Sequence, residues 1–313
     1  MSFGDRAIFQ NAAGGIGSDR CQSGKSRMIF ESPFAGQKKE GITMIQELMR
    51  LGRVTKHLPY FRGIAPLQRL YDLVLPERAL PMRVNDFDGD LKLDVDVRDT
   101  IGISVWHRPR FYDKNERRLF CDAIGKDSVV LDVGANIGIY TLLAAKRGAR
   151  VFSIEADPRN AEMLRHHVHL NGFDDRVTIL PMAAGDAAGT ITIYRYPGNS
   201  GHSNLYEGID PVQVPCKTID SLDLPAIDVC KMDIEGSELR ALKGMQGTMS
   251  RSPRMKLLIE YAESFGETAG LMEFIHARFA PVYAIRYPPF RPKGPLSAAL
   301  RPPSFCNLWG QRG

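Results

Sequence analysis

The sequence predicts an α/β fold, a mostly parallel sheet covered by helices on both faces. Three observations lead there. From Val129 onward, short apolar runs alternate with stretches whose apolar residues recur at helical spacing. The run "VVLDVGANIGIY" passes from an apolar strand through an acid and two glycines straight into a helical pattern. A second run, "VFSIEADPRN", again ends in an acid, Glu155, just before a helix. In open sheets of this kind ligands sit beyond the carboxyl ends of strands, where the strand order reverses.

The elements follow in order. Residues 1–40 are rich in Gly, Ser, Lys and Arg without periodicity, and read as a disordered tail. Within them "DRCQSGKS" imitates the end of a phosphate-binding loop, but Asp19 stands where the first glycine belongs and no apolar strand precedes it. Residues 41–112 read as an extension of helices and a hairpin. Ile45, Leu48 and Met49, then Leu67, Leu70, Tyr71 and Val74, recur at helical spacing with Arg50, Arg53, Lys56, Arg62 and Arg69 between them. These helices either pack on the domain or offer a basic face to a membrane or an acidic polymer. "MRVNDFDGDLKLDVDV" alternates around Asp88, Gly89 and Asp90, a hairpin pattern. The main domain, 113–313, opens with the helix "NERRLFCDAI". Strands are expected at 129–133, 150–155, 176–180, 227–233, 256–261, 281–286 and 304–309, and helices at 138–147, 158–171, 237–246 and 267–278. Residues 189–216 interrupt the rhythm with short extra strands and the loop "YPGNSGHSNL".

Composition narrows the function. The chain has 313 residues, enough for one large domain with an extension, and its net charge of +5 is too mild to require a nucleic-acid partner. No zinc finger, RNA-binding aromatic signature or basic zipper is present. The five cysteines (Cys21, Cys121, Cys216, Cys230 and Cys306) form no C-x-x-C pair, which favours a reducing compartment. The N-terminus lacks a signal-peptide apolar core and no apolar run is long enough to span a bilayer, so a cytoplasmic location is expected, with possible peripheral membrane contact through 42–75.

The glycine turn is the candidate cofactor site. Gly134 and Gly138 let the backbone turn sharply and approach a ligand, and the following helix aims its N-terminal amides at the same place. Glu155 lies near the offset at which an acid meets ribose hydroxyls, so an adenosine derivative is expected. A dinucleotide needs G-x-G-x-x-G, and Gly134-Ala135-Asn136-Ile137-Gly138 departs from it. Asp132 beside the turn would repel a pyrophosphate but suits the ammonium and sulfonium of S-adenosylmethionine. Asp132 capping the turn and Glu155 pairing with a lysine is the plainer alternative.

The fourth main-domain strand, in "IDVCKMDIEGSELRALKG", is unusually charged for a central strand. Alternation places Lys231, Asp233 and Glu235 on one side, either as a salt-bridge cluster or as a polar mouth around a reacting group. Glu260, at the end of the next strand, would point into the same crevice.

With these residues the chain resembles the FkbM family of S-adenosylmethionine-dependent methyltransferases. The resemblance rests on "VLDVGANIGIYTLLAA", "IEADPRNAEMLRHHVHLNG", "AAGDAAGTITIY", "SGHSNL", "VPCKTIDSL", "CKMDIEGSELRALKG", "LLIEY" and a closing "NLW", in that order over roughly 130–310. It implies a Rossmann-like class I methyltransferase fold and O-methylation of a sugar, glycan or natural-product hydroxyl. It also implies that Asp132, Gly134, Asn136, Gly138 and Glu155 line the cofactor; Ala135, Ala156 and Asp233 are expected beside them. Ala156-Asp157-Pro158 departs from the family's usual turn after the ribose-binding acid.

Methyl transfer to an alcohol calls for a base or a metal. Asp233, Glu235 and Lys231 are the candidates, with Lys231 better suited to orient Asp233 because flanking acids keep a lysine protonated. His202, in "SGHSNL", is a second candidate base. A divalent ion on Asp233, Glu235 and Glu260 would suit magnesium or calcium. A nicotinamide-dependent oxidoreductase and a non-catalytic cofactor-binding scaffold remain the competing classes.

Overall fold

The computed structural model describes residues 81–110, 112–196, 199–204, 210–265, 268–285 and 305–312. The expected tail at 1–40, the basic segment at 42–75 and the proline-rich stretch at 287–304 lie outside the described residues.

Strands β1 (Pro81–Phe87) and β2 (Leu91–Asp96) form the expected antiparallel hairpin, with Val84 opposite Leu93. Asp88 and Gly89 take positive φ of 48° and 100°, the left-handed pair that a tight hairpin turn requires. Helix α1 (Thr100–His107) follows, capped by Asp99, whose carboxylate accepts from the amides of Ile101 and Gly102. The sequence reading had no element there, because Gly102 and the β-branched residues around it hide the helical pattern. Helix α2 (Lys114–Asp122) is the expected one.

The alternating part runs β3 (Val129–Val133), α3 (Ile139–Lys146), β4 (Arg150–Glu155), α4 (Pro158–Leu170), β5 (Val177–Pro181). An insertion of β6 (Ala183–Ala184), β7 (Gly189–Tyr196), β8 (Asn199–Asn204) and β9 (Asp210–Lys217) comes next. Then come β10 (Val229–Met232), α5 (Glu238–Lys243), α6 (Gln246–Arg251), β11 (Lys256–Ala262), α7 (Thr268–His276), β12 (Val282–Ile285) and β13 (Phe305–Gln311). The main sheet has the order β12-β13-β11-β10-β3-β4-β5; β5, β4, β3, β10 and β11 are parallel and β13 runs antiparallel beside β11. This is the Rossmann-like class I methyltransferase arrangement. The insertion forms its own sheet, β6-β9-β7-β8.

Strand alternation divides the core between the two faces. Val130 and Val229 face a layer with Leu142, Val168 and the hairpin residues Phe87 and Leu93. Leu131, Cys230 and Met232 face the other layer with Leu242, Leu257 and Phe279. The hairpin and α1 therefore share the sheet's own core; Phe87 alone, fully buried, contributes roughly 1.5–3 kcal/mol by its burial.

The helix expected at 237–246 is α5, Glu238–Lys243, and a second helix, α6, runs on from Gln246 to Arg251. They part at Gly244, where a Cβ would stand 1.9 Å from the Gly185 carbonyl oxygen, so the close approach of the insertion sets the break.

Candidate active site

The strand order reverses between β3 and β10. Beyond their carboxyl ends lies a cavity of about 310 Å³, lined by Gly134, Asn136, Glu155, Ala156, Asp157, Asp233 and Glu235 and roofed by the insertion from Ala183 to Ile193.

The glycine turn is held from within. The amides of Gly134 and Ala135 both donate to the Ile154 carbonyl, at 2.9 and 3.0 Å, and that of Gly138 donates to Ala135. The Asn136 amide donates to Glu155 Oε2 at 2.7 Å, and the Ile137 amide to Asn136 Oδ1 at 2.6 Å. Every backbone N–H from Gly134 to Gly138 is thus committed inside the protein. The turn offers no cradle of amides for an anion, unlike a dinucleotide-binding loop.

Gly134 itself is required by packing. Its φ is +76°, and a Cβ there would stand 1.9 Å from the Asp233 carbonyl oxygen. Gly138, φ +96°, is pressed against α4, where a Cβ would meet Leu164 Cδ1 at 2.5 Å. The reason expected for both glycines, room for a ligand, is corrected in part. Gly134 does line the cavity, yet in both cases the protein's own chain fills the space of the missing side chain.

Three residues expected around the cofactor, Asp132, Ala135 and Gly138, are not among the cavity's lining residues. Asp132 is fully buried within the sheet, in register with Lys231 on β10 and Ser153 on β4. It accepts the Thr141 hydroxyl at 2.7 Å, so it anchors the start of α3 instead of facing a ligand's ammonium. Burial pushes its carboxyl pKa up, and Lys231 and Thr141 oppose that.

Glu155 ends β4 and lines the cavity. Its Oε1 accepts the Asp157 amide at 2.8 Å and its Oε2 the Asn136 amide, so each oxygen keeps a lone pair for a ligand hydroxyl. Burial raises its pKa to about 7, against the pull of the two amides. Ala156 and Asp157 line the same side, and Asp157 caps α4.

The charged strand end is assembled differently from simple alternation. β10 stops at Met232, and the chain turns through Glu235 and Gly236 with φ of 53° and 95°. Glu238 closes that turn by accepting the amides of Ile234 and Gly236, at 2.8 and 3.0 Å. Carboxylate oxygens of Asp233, Glu235 and Glu260 nevertheless come within 4.8 Å of one another. Lys231 Nζ lies 3.2 Å from Asp233 Oδ2, donates to the Gly134 carbonyl at 3.2 Å, and sits 5.3 Å from the centre of the Tyr140 ring. Burial would lower its pKa, but Asp233, Asp132 and Glu260 outweigh that and hold it above the ordinary lysine value. Lys231 is therefore a protonated positioning group. Burial first, then Asp233 and other acids, raises Glu235 to about 8 and Glu260 to about 11. His202 lies on the backbone of β8, and its side chain is outside the described residues.

Two more acids approach this centre from α2. Asp113 accepts from the Tyr140 hydroxyl at 3.3 Å and is raised to about 7 by burial, then by Glu116 and Asp233. Glu116 is 1% exposed. Nothing in the sequence joins them to "CKMDIEG", since only the packing of α2 on α3 brings them there. Glu238 had a local signal, an acid in the first turn of a helix.

Residues 132–280 match the methyltransferase FkbM domain. The hexuronic acid methyltransferase AglP of Haloferax volcanii is 29% identical over 140 residues, covering 42% of this chain and 56% of that protein. An arginine N(omega)-methyltransferase of Streptomyces achromogenes is 28% identical over 134 residues, covering 39% of this chain and 36% of that protein. The chain thus spans about half or less of these relatives. The crystal structure of methyltransferase FkbM from Methylobacillus flagellatus aligns with a TM-score of 0.40 at 22% identity, over 59% of this chain and 43% of that one. Over residues 132–280, which hold most of the parallel sheet, this chain is thus similar to the methyltransferase FkbM domain.

Proposed function

We propose that the protein transfers the methyl group of S-adenosylmethionine to a hydroxyl of a sugar, glycan or natural product. One observation carries the reading of the donor: the turn at 134–138 keeps all its amides internal while carboxylates surround the cavity. Such a site disfavours a pyrophosphate, and with it a nicotinamide dinucleotide, and favours a cationic donor. Glu155, each of whose oxygens accepts one backbone amide and keeps a lone pair, supports a contact to the ribose diol. The similarity to a hexuronic acid methyltransferase supports a sugar-like acceptor.

In the reaction the acceptor oxygen attacks the methyl carbon. The O–C bond forms as the C–S bond breaks, S-adenosylhomocysteine leaves, and the hydroxyl proton passes to Asp233. Asp233 is half-exposed to the cavity and held by Lys231, whereas Glu235 and Glu260 are raised toward their protonated forms. Positioning of oxygen, carbon and sulfur in line supplies several kcal/mol, and the base roughly a hundredfold.

The test is a transfer assay with labelled donor against cell-envelope glycans and hydroxylated metabolites, on the wild type and Asp233→Asn. The variant is expected to keep donor affinity within about threefold and lose roughly a hundredfold in single-turnover rate. Full activity per folded molecule would remove Asp233 from the chemistry. Isolation of a bound dinucleotide from the purified protein would replace the methyltransferase reading altogether.

A further inference from the structure

We propose that Asp233, Glu235 and Glu260 form a divalent-cation site at the inner end of the cavity. This deepens the methyl-transfer reading and rests on it for its purpose, since the ion would hold the acceptor oxygen and lower its pKa.

The three carboxylates come from different parts of the fold. Asp233 directly follows β10, Glu235 sits on the left-handed turn after it, and Glu260 lies on the neighbouring strand β11. One oxygen from each lies within 4.8 Å of the others, the spacing at which a single ion bridges all three. Asp233 and Glu235 line the cavity, so an ion there meets a ligand on one side and protein on the other.

Glu260 gives a second observation. It is 8% exposed, and its Oε2 is buried without a hydrogen-bond partner among the described residues. A buried carboxylate oxygen left unpaired costs about 1–3 kcal/mol or more, so its persistence points to a partner that the polypeptide does not supply. Lys231 already serves Asp233 and the Gly134 carbonyl. With all three acids ionised, that one ammonium leaves two negative charges unmatched, the charge of a divalent ion. The donors are all oxygen, with neither His nor Cys in the cluster, which selects magnesium, calcium or manganese over zinc.

The test uses the full chain and Mn²⁺ alone, by titration calorimetry and Mn²⁺ electron paramagnetic resonance. One ion per chain is expected, with a Kd below about 1 mM. Glu260→Gln and the more exposed Asp233→Asn should each weaken binding tenfold or more, while Asp122→Asn, on the surface of α2, leaves it unchanged. Absence of saturable binding to the wild type overturns the site. So does equal binding by the wild type and both folded variants, which would mark adsorption elsewhere. Protection of the wild type against heat by methylguanidinium, with no binding of Mn²⁺, would assign the acids to a cationic acceptor instead. Neither donor nor acceptor is present, so the result stands apart from the outcome of the transfer assay.

Discussion

Arg195 closes on Asp157 through two parallel hydrogen bonds, Nε to Oδ2 at 2.6 Å and Nη2 to Oδ1 at 2.7 Å. The pair joins the inserted sheet to the turn that follows Glu155. Both side chains are largely buried, at 12% and 5% exposure, and the third donor of Arg195 reaches Asp210 at 3.3 Å. Arg195 thereby fixes the insertion as the roof of the cavity, a bidentate role that lysine could not fill.

Arg195→Leu is expected to destabilise the protein by about 3 kcal/mol, because the buried Asp157 carboxylate loses both charge-assisted hydrogen bonds from the guanidinium. Affinity for S-adenosylmethionine should fall about tenfold as the roof loosens. Denaturant unfolding and calorimetry on one preparation read both quantities. Unchanged donor affinity in the folded variant would detach the insertion from the cofactor site.

Glu155→Ala removes the acceptor for two amides as well as the proposed ribose partner. A loss of about 1–3 kcal/mol in donor binding is expected. Glu155→Gln keeps one acceptor oxygen and should lose less. Equal affinities across the three proteins would show that the carboxylate only holds the turn.

Gly134→Ala and Gly172→Ala make a matched pair. Both glycines have positive φ, +76° and +70°, but a Cβ at Gly172 meets nothing within 4 Å. The second change should cost about 1–2 kcal/mol, the strain of a left-handed alanine. The first adds the collision with Asp233 and should cost distinctly more, together with donor binding. Similar thermal shifts for the two would refute the close contact.

His167 predicts a response to acid. It is wholly buried on α4, donates from Nδ1 to the Ile137 carbonyl at 2.7 Å, and accepts the Asp94 amide on Nε2 at 2.9 Å. Burial lowers its pKa from 6.5 to about 4. The unfolded chain therefore takes up this proton first as pH falls. The stability linked to it is whole above pH 6.5 and is lost progressively down to about 4, up to about 3 kcal/mol. In His167→Gln that part of the pH dependence should disappear from the unfolding curve. An unchanged slope between those values would clear His167 of it.

Periodicity and local chemistry were enough to place the strands β3 and β4 to the residue, the hairpin at Asp88-Gly89, and Glu155 beside the glycine turn. Each depends on neighbours close in sequence: apolar runs select strands, an acid or glycine ends them, and proline starts α4. The break at Gly244 was not legible, because its cause is the carbonyl of Gly185 nearly sixty residues away.

The sequence by itself determined the alternating α/β plan, the position of the glycine turn and the presence of acids flanking the strand at Val229–Met232. Tertiary structure alone decided what each acid does. Asp132 and Asp233 both follow apolar strand residues, yet register buries the first between Ser153 and Lys231 while the end of β10 exposes the second to the cavity. Glu260 was already expected there from the strand order, but Asp113 joins the centre only because α2 packs beside it. Burial and charge repulsion are set by distance in space, and these distances arise only once the sheet is assembled.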